Sequence, residues 1–510
     1  MYSDKDFNLV KPIFNKISKF SARQILDVCI NKIGYAEDDP DRRYPQYPPW
    51  SLLLLIKWTL LYGTLEGQYP PKKFGETQLN ALLNNLLNLD IEVEGKAASK
   101  RKHKDWFLYM RKKAFQEIPF QDPPHRARFA RQSLIFGHLD PGDALRKRFV
   151  EQVSAEIEDV LELGFLVFAR FRQERELFIT ENWFRNIADK YPPNTIRAFL
   201  QQLSKDFNSA RQFLMESQTP YSPRLRYELT EMSPLKLFPL FRDGQNCYCY
   251  SPMLLYRSLE HYIYDTLRHS DPQAFGNDFG RRVFEQYVGR AVAHTELPLI
   301  YEKDVLNAFG QNGKLVDYII VEGKSHIFID AKAVEATYIG EVSEEPEHII
   351  QRINSIIKGV DQAYSVAERL DGITHIGPVP LGKPAERYLL IVTYKDLYLG
   401  YGRDFYHYVA QDKLDEIAQQ HGGKNWISFE HIFVVSVEDF DLLVQAVHQG
   451  QIGMSECLQR VASADSTALS DHRNLVFRWH LYQMIGNLDP PTYLDEEFEH
   501  LTARVRSKVP

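Results

Sequence analysis

Four residues of this chain have the types and spacing to do chemistry together: Glu285, Asp317, Asp330 and Lys332. Asp317 opens the apolar run Tyr318-Ile319-Ile320-Val321, and Asp330 and Lys332 end Ser325-His326-Ile327-Phe328-Ile329-Asp330-Ala331-Lys332. Charges at the ends of oily strands need a reason, because a buried charge is costly unless it is paired or bound to a metal. Side chains alternate along a strand, so Asp330 and Lys332 share one face with Phe328, while Ile327, Ile329 and Ala331 take the other, which suits a core. Two carboxylates, Asp317 and Asp330, can hold Mg²⁺, which accepts few protein oxygens and keeps several waters. The Ala331 carbonyl is a further oxygen ligand, and Glu285 can complete the shell or hold Lys332. The chemistry that uses such a set is metal-assisted phosphodiester hydrolysis, with Lys332 orienting the attacking water or neutralising charge on the phosphate.

The order Glu285, Asp317, Asp330-Ala331-Lys332 resembles the PD-(D/E)XK nuclease superfamily, with 32 residues from Glu285 to Asp317 and 13 from Asp317 to Asp330. Val316 stands where the motif's proline would be. The resemblance covers about residues 270 to 450. It implies a restriction-endonuclease-like core, Mg²⁺ (or Mn²⁺ in its place) as cofactor, and DNA as substrate, with RNA the alternative. It also implies a Gln or Lys on the helix behind the catalytic strand, directed at the substrate phosphate. Lys358 and Gln362, one turn apart, match that role. A place in bacterial defence against phage or foreign DNA follows from family analogy alone.

The elements that must position these residues are legible. The break Glu322-Gly323-Lys324 between two β-branched runs predicts an antiparallel hairpin. In Pro346 to Leu370, Ile349, Ile353, Ile356, Val360, Ala363, Ala367 and Leu370 recur at helical spacing, which predicts one long helix with a buried face. Arg387 to Tyr394 and His431 to Val437 read as buried strands. The expected fold is therefore α/β, a mixed sheet of at least four strands flanked by helices, preceded by a mainly helical N-terminal domain. That domain spans 1–223, with helices at about 21–33, 50–63, 76–88, 99–116, 143–162 and 194–216. A hairpin and helix at 224–268 form a joint packed on the core, which spans 269–450, and 451–510 form a helical cap. Pro239 confines its strand to a sheet edge or bulge.

The chain of 510 residues carries a formal charge of −7, yet Lys96 to Arg148 holds 14 Lys or Arg against 5 Asp or Glu. Such a basic zone is a candidate DNA footprint, densest at Lys100, Arg101, Lys102 and Lys104 and at Arg126, Arg128 and Arg131. It equally suits an acidic partner protein, or pairing with acids elsewhere in the chain. Five acids between Glu335 and Glu347 read as a solvated loop. Four cysteines without paired spacing exclude a zinc site and a disulfide framework and point to a cytoplasmic protein without a signal peptide. The run Leu52–Leu61, broken by Lys57, is too short for a membrane span. No Gly-rich phosphate loop and no G-x-S-x-G elbow is present, which excludes an ATPase motor and an α/β-hydrolase. A catalytically silent nucleic-acid or protein-binding subunit, and an RNA-cleaving effector, are the rival readings. Cutting both strands with one site per chain calls for a homodimer or two successive nicks.

Overall fold

A computed structural model describes residues 2–65, 72–98, 103–174, 176–217, 224–310, 315–351, 353–464 and 475–509. The chain forms two compact units. The first comprises Met1–Arg101, Lys113–Ser270 and Glu497–Pro510, and the second Lys102–Lys112 and Asp271–Glu496. Among the described residues no helix is long and apolar enough to cross a membrane.

The first unit is mainly helical. The helices expected at 143–162 and 194–216 are each broken in two. Ser154, in the left-handed region at φ 58°, ends Ala144–Val153, and Asp206 caps Phe207–Glu216 through Ser209. A small four-stranded sheet joins distant parts of this unit. Its central hairpin, Leu240–Asp243 and Asn246–Cys249, pairs on one side with Phe178–Ile179 and on the other with Ser204–Lys205. This corrects two expectations. Pro239 lies just before an internal strand instead of within an edge one, and the stretch 224–268, expected as a joint, falls within the first unit, where its hairpin is paired. The expected cap also divides, since 497–510 return to the first unit. There Arg504 and Lys508 reach the fully buried Glu162 carboxylate at 2.9 and 2.6 Å.

The second unit is α/β. Helix α1 (Glu285–His294) is followed by strand β1 (Leu299–Tyr301), the hairpin β2 (Tyr318–Glu322) and β3 (Ser325–Lys332), helix α2 (Asn354–Arg369), β4 (Glu386–Thr393), β5 (Ile432–Ser436) and helix α3 (Val437–His448). The sheet order is β5-β4-β3-β2-β1, parallel between β5, β4 and β3 and antiparallel from β3 to β1. Gly323, at φ +58°, supplies the left-handed turn of the β2–β3 hairpin that a side chain would disfavour.

Both sheet faces are covered, so β3 is buried on both, where one core face was expected. On one face Ile319, Phe328, Leu389 and Ile391 pack with Ile356, Val360 and Ala363 of α2. On the other, the Tyr318 hydroxyl donates to the Glu285 carbonyl of α1 at 2.9 Å, and α1 is tied to α3 by Tyr287 to Asp441 at 2.7 Å. The single helix expected over Pro346–Leu370 is two, Pro346–Ile350 and α2. A tight turn, with Ile353 N bonded to the Ile350 carbonyl at 3.1 Å, interrupts it while keeping Ile349 and Ile353 buried.

Candidate active site

Three of the four expected residues converge at the C-terminal end of β3. Ile391 of β4 stands opposite Asp330 and Thr393 opposite Lys332, so the charged pair faces α2 with the apolar residues that precede it. Asp330 is fully buried. The Lys332 ammonium donates to its Oδ1 at 2.9 Å and lies 2.7 Å from Oδ2. Oδ2 has no well-directed hydrogen bond of its own. Asp317 sits in the bend before β2, and its Oδ2 accepts the Ala331 amide at 2.7 Å. The peptide between Asp330 and Lys332 thus pins the second carboxylate beside the first.

Burial first, then the Asp317 charge, pushes Asp330 up to about 7, against the pull of Lys332. Burial also raises Asp317, opposed by the Ala331 amide and by Lys332.

Helix α2 fits against this pair through features that periodicity did not reveal. A Cβ on Gly359 would stand 2.5 Å from Asp330 Oδ2 and 3.3 Å from Lys332 Cε. Only glycine lets the helix approach the carboxylate this closely. The sequence signal was there: an isolated glycine inside an amphipathic helix, next to its apolar stripe. One turn on, Gln362 accepts from Lys332 Nζ at 3.0 Å and donates to the Leu315 carbonyl at 2.7 Å. Gln362, expected at the substrate phosphate, instead ties the lysine to the segment that carries Asp317. Lys358 is exposed on the same helix.

Glu285 behaves differently. It is half-buried and its carboxyl is pushed up to about 7 by burial, by Asp317 and by Glu302, with Arg281 and Lys332 opposing. It therefore shares the field of the site. Helix α1, however, packs on the sheet face opposite Asp330, since Tyr318 stands opposite Ile329 in the hairpin. Among the described residues no group of three His, Cys, Asp or Glu is placed to hold a metal ion. Ala331 contributes its amide, which donates to Asp317. Arg281, exposed and 3.8 Å from Glu302, acts on both Glu285 and Asp317. It was not singled out in the sequence because nothing distinguishes it from any surface arginine.

The donor set that remains, two adjoining carboxylates with one Oδ2 lacking a directed hydrogen bond, fits a hard divalent cation. Such a cation would relieve the repulsion that now keeps the proton in place.

The described residues of the basic zone are partly exposed and partly buried. Lys100, Arg101 and Lys102 lie outside the described residues. Lys104 and Arg126 are exposed. Arg128 and Arg131 are buried, and Arg128 pairs with Glu260 at 2.5 Å and with Asp122, so neither reaches a nucleic-acid backbone. In the second unit Arg111 donates to the Gly340 carbonyl, and Lys112 pairs with Glu344 at 2.7 Å. The acidic loop is therefore partly neutralised from within, and Glu335 pairs with Lys395 at 3.0 Å; of those acids Glu345 and Glu347 are exposed. Compared with protein-family models, with curated proteins and with solved structures, the chain finds no match.

Proposed function

We propose that the second unit is a metal-dependent nuclease with a restriction-endonuclease-like core, hydrolysing phosphodiester bonds in DNA. The observation that carries this reading is the meeting of Asp317 and Asp330 across the Ala331 peptide, with the Lys332 amine held beside them by Gln362. Asp317 and Asp330 would hold Mg²⁺ or Mn²⁺, which when bound supplies Lewis acidity toward the phosphate and an acidified water. Lys332 supplies a positive charge that buried surroundings leave weakly screened, and it stabilises anionic charge that develops on the substrate. Gln362 keeps that amine from swinging away, so it is a positioning residue. A role in restricting foreign DNA extends the same reading by analogy.

The test is a side-by-side digestion of linear DNA, circular DNA and total RNA with Mg²⁺ or Mn²⁺, using wild type and Asp330→Asn. Cleavage of DNA by wild type, abolished by chelator and by the substitution, is the expected outcome. Full cleavage by purified Asp330→Asn protein would overturn the assignment, and cleavage confined to RNA would move it to an RNA-cutting effector. One observation favours a second reading, a catalytically silent binding subunit: no third ligand stands by the two aspartates among the described residues. Nucleic-acid binding that survives chelator, with no cleavage of any form, would carry that reading.

A further inference from the structure

We propose that the first unit carries a separate site, a pocket for a phosphate-bearing small molecule of mononucleotide size. A cavity of about 520 Å³ opens between the turn Glu181–Ile187, the helix Pro193–Leu203 and the strands Leu240–Asp243 and Asn246–Cys249. That volume lies within the roughly 300–1,000 Å³ of small-molecule sites, and it is more than a lone phosphate needs.

The chemistry of its wall is lopsided. Arg185, Arg197 and Arg242 all line it, against the one acid Glu181. Arg185 is exposed and makes no ion pair among the described residues. Arg197 donates from Nε and Nη2 to the two Glu181 oxygens, each at a long 3.4 Å, and from Nη1 to Asn194 at 3.5 Å, with the Arg197 and Glu181 side chains about half exposed. Arg242 has Asp206 at 3.8 Å, but that carboxylate already accepts the Ser209 amide at 2.9 Å and its hydroxyl at 2.8 Å. Backbone and hydroxyl donors from Ser209 hold Asp206 below the usual carboxylate range, and it caps its own helix. Three arginines thus line one cavity with a single acid among its lining residues. Planar guanidinium forks match phosphate oxygens two at a time, and several converging on one space specify a phosphate more than an isolated carboxylate.

The rest of the wall suits the body of such a ligand. Ile196 and Leu200 present an apolar surface, and the amides of Asn182, Gln201 and Gln245 line the same space. An apolar wall with a few orienting polar groups beside a cationic edge is what a base and its phosphate require. The chemistry is shared by a free nucleotide and by the phosphorylated end of a short strand.

The experiment is calorimetric titration of the full chain, in chelator so that the second unit neither binds metal nor turns over. The probes are the four 5′-mononucleotides, their nucleosides, inorganic phosphate and a short 5′-phosphorylated oligonucleotide. Binding of at least one mononucleotide or the oligonucleotide is expected, with the matching nucleoside weaker by about tenfold or more. Arg185→Glu and Arg242→Ala should each weaken it by a similar factor with the circular dichroism spectrum unchanged. Arg185 has no ion pair among the described residues, so its variant separates recognition from folding. Tighter binding of the oligonucleotide assigns the phosphate to a strand end, and tighter binding of a mononucleotide to a free metabolite. Absence of binding for every phosphate probe at millimolar concentration, nucleosides that bind as well as nucleotides, or unchanged affinity in Arg185→Glu each overturns the proposal.

Discussion

Asp330 carries the largest electrostatic burden of the candidate site, a fully buried carboxyl whose neighbours are another carboxyl and one amine. Its proton is held up to about 7 in the folded chain, whereas an unfolded aspartate releases it near ~4. A raised carboxyl binds its proton more tightly when folded, so this contribution to stability is complete below about pH 4 and lost as pH rises through about 7. Melting curves of metal-free protein from about pH 5 to about pH 8 should therefore show a decline that is shallower in Asp330→Asn. Because a cation must displace that proton, Mg²⁺ should raise the melting temperature more at about pH 8 than at about pH 6, and not in Asp330→Asn. A wild-type Mg²⁺ effect independent of pH would show that the cation binds elsewhere. Lys332→Met should abolish cleavage yet stay folded at about pH 6, where Asp330 can remain neutral. Above about pH 8 the variant should lose stability by about 1.4 kcal/mol for each unit the carboxyl is raised, read as a falling urea midpoint. Equal midpoints at both pH values would mean that the amine does not offset a buried charge.

At the scale of elements, the contact between α2 and the end of β3 makes Gly359→Ala informative. Alanine is the better helix former by about 1 kcal/mol, so on an isolated helix the change would stabilise. Here the added methyl meets Asp330 Oδ2 and the Lys332 side chain, and overpacking of that kind costs about 1–3 kcal/mol. The variant should unfold at lower urea and cleave more slowly; a stabilised, fully active Gly359→Ala protein would show that the helix does not press on the site. Gln362→Ala should leave the midpoint nearly unchanged while slowing cleavage and shifting its pH profile, since it frees Lys332 without removing it. The hairpin, both long strands and the apolar face of α2 were legible, because alternation, a Gly turn and 3–4 spacing each record one local environment. The break between Ile350 and Asn354 was not, since the buried residues keep helical spacing across it. Glu285 was found as a residue, but not the sheet face that its helix covers. Order along the chain does not tell which side of a sheet a helix covers, and α1 covers the side away from Asp330. Gln362 was likewise found by period, but not its bond to Lys332, because the period gives a face and not the atom met there.

For the whole molecule, charge read along the chain misled where charge read in space does not. The stretch of 14 cations looked continuous in sequence, but Arg111, Lys112, Arg128 and Arg131 are spent inside the protein. Breaking a buried pair by removing one partner costs about 3–5 kcal/mol, so Arg128→Ala should lower the urea midpoint by that order. Its DNA affinity should keep the wild-type salt dependence, since a residue that touches no phosphate releases no counterion. A shallower salt slope in folded Arg128→Ala protein would return it to the DNA-binding set. The domain limits were the least legible feature, because no change in composition marks a unit assembled from separate lengths of chain.

The return of residues 497–510 to the first unit sets the order of biosynthesis. Glu162 emerges from the ribosome more than three hundred residues before Arg504 and Lys508, the two cations that neutralise it. Until the whole second unit has been translated, the first can be assembled only around a carboxylate that still lacks its countercharges. Its completion thus waits on a segment that follows the second unit in the chain.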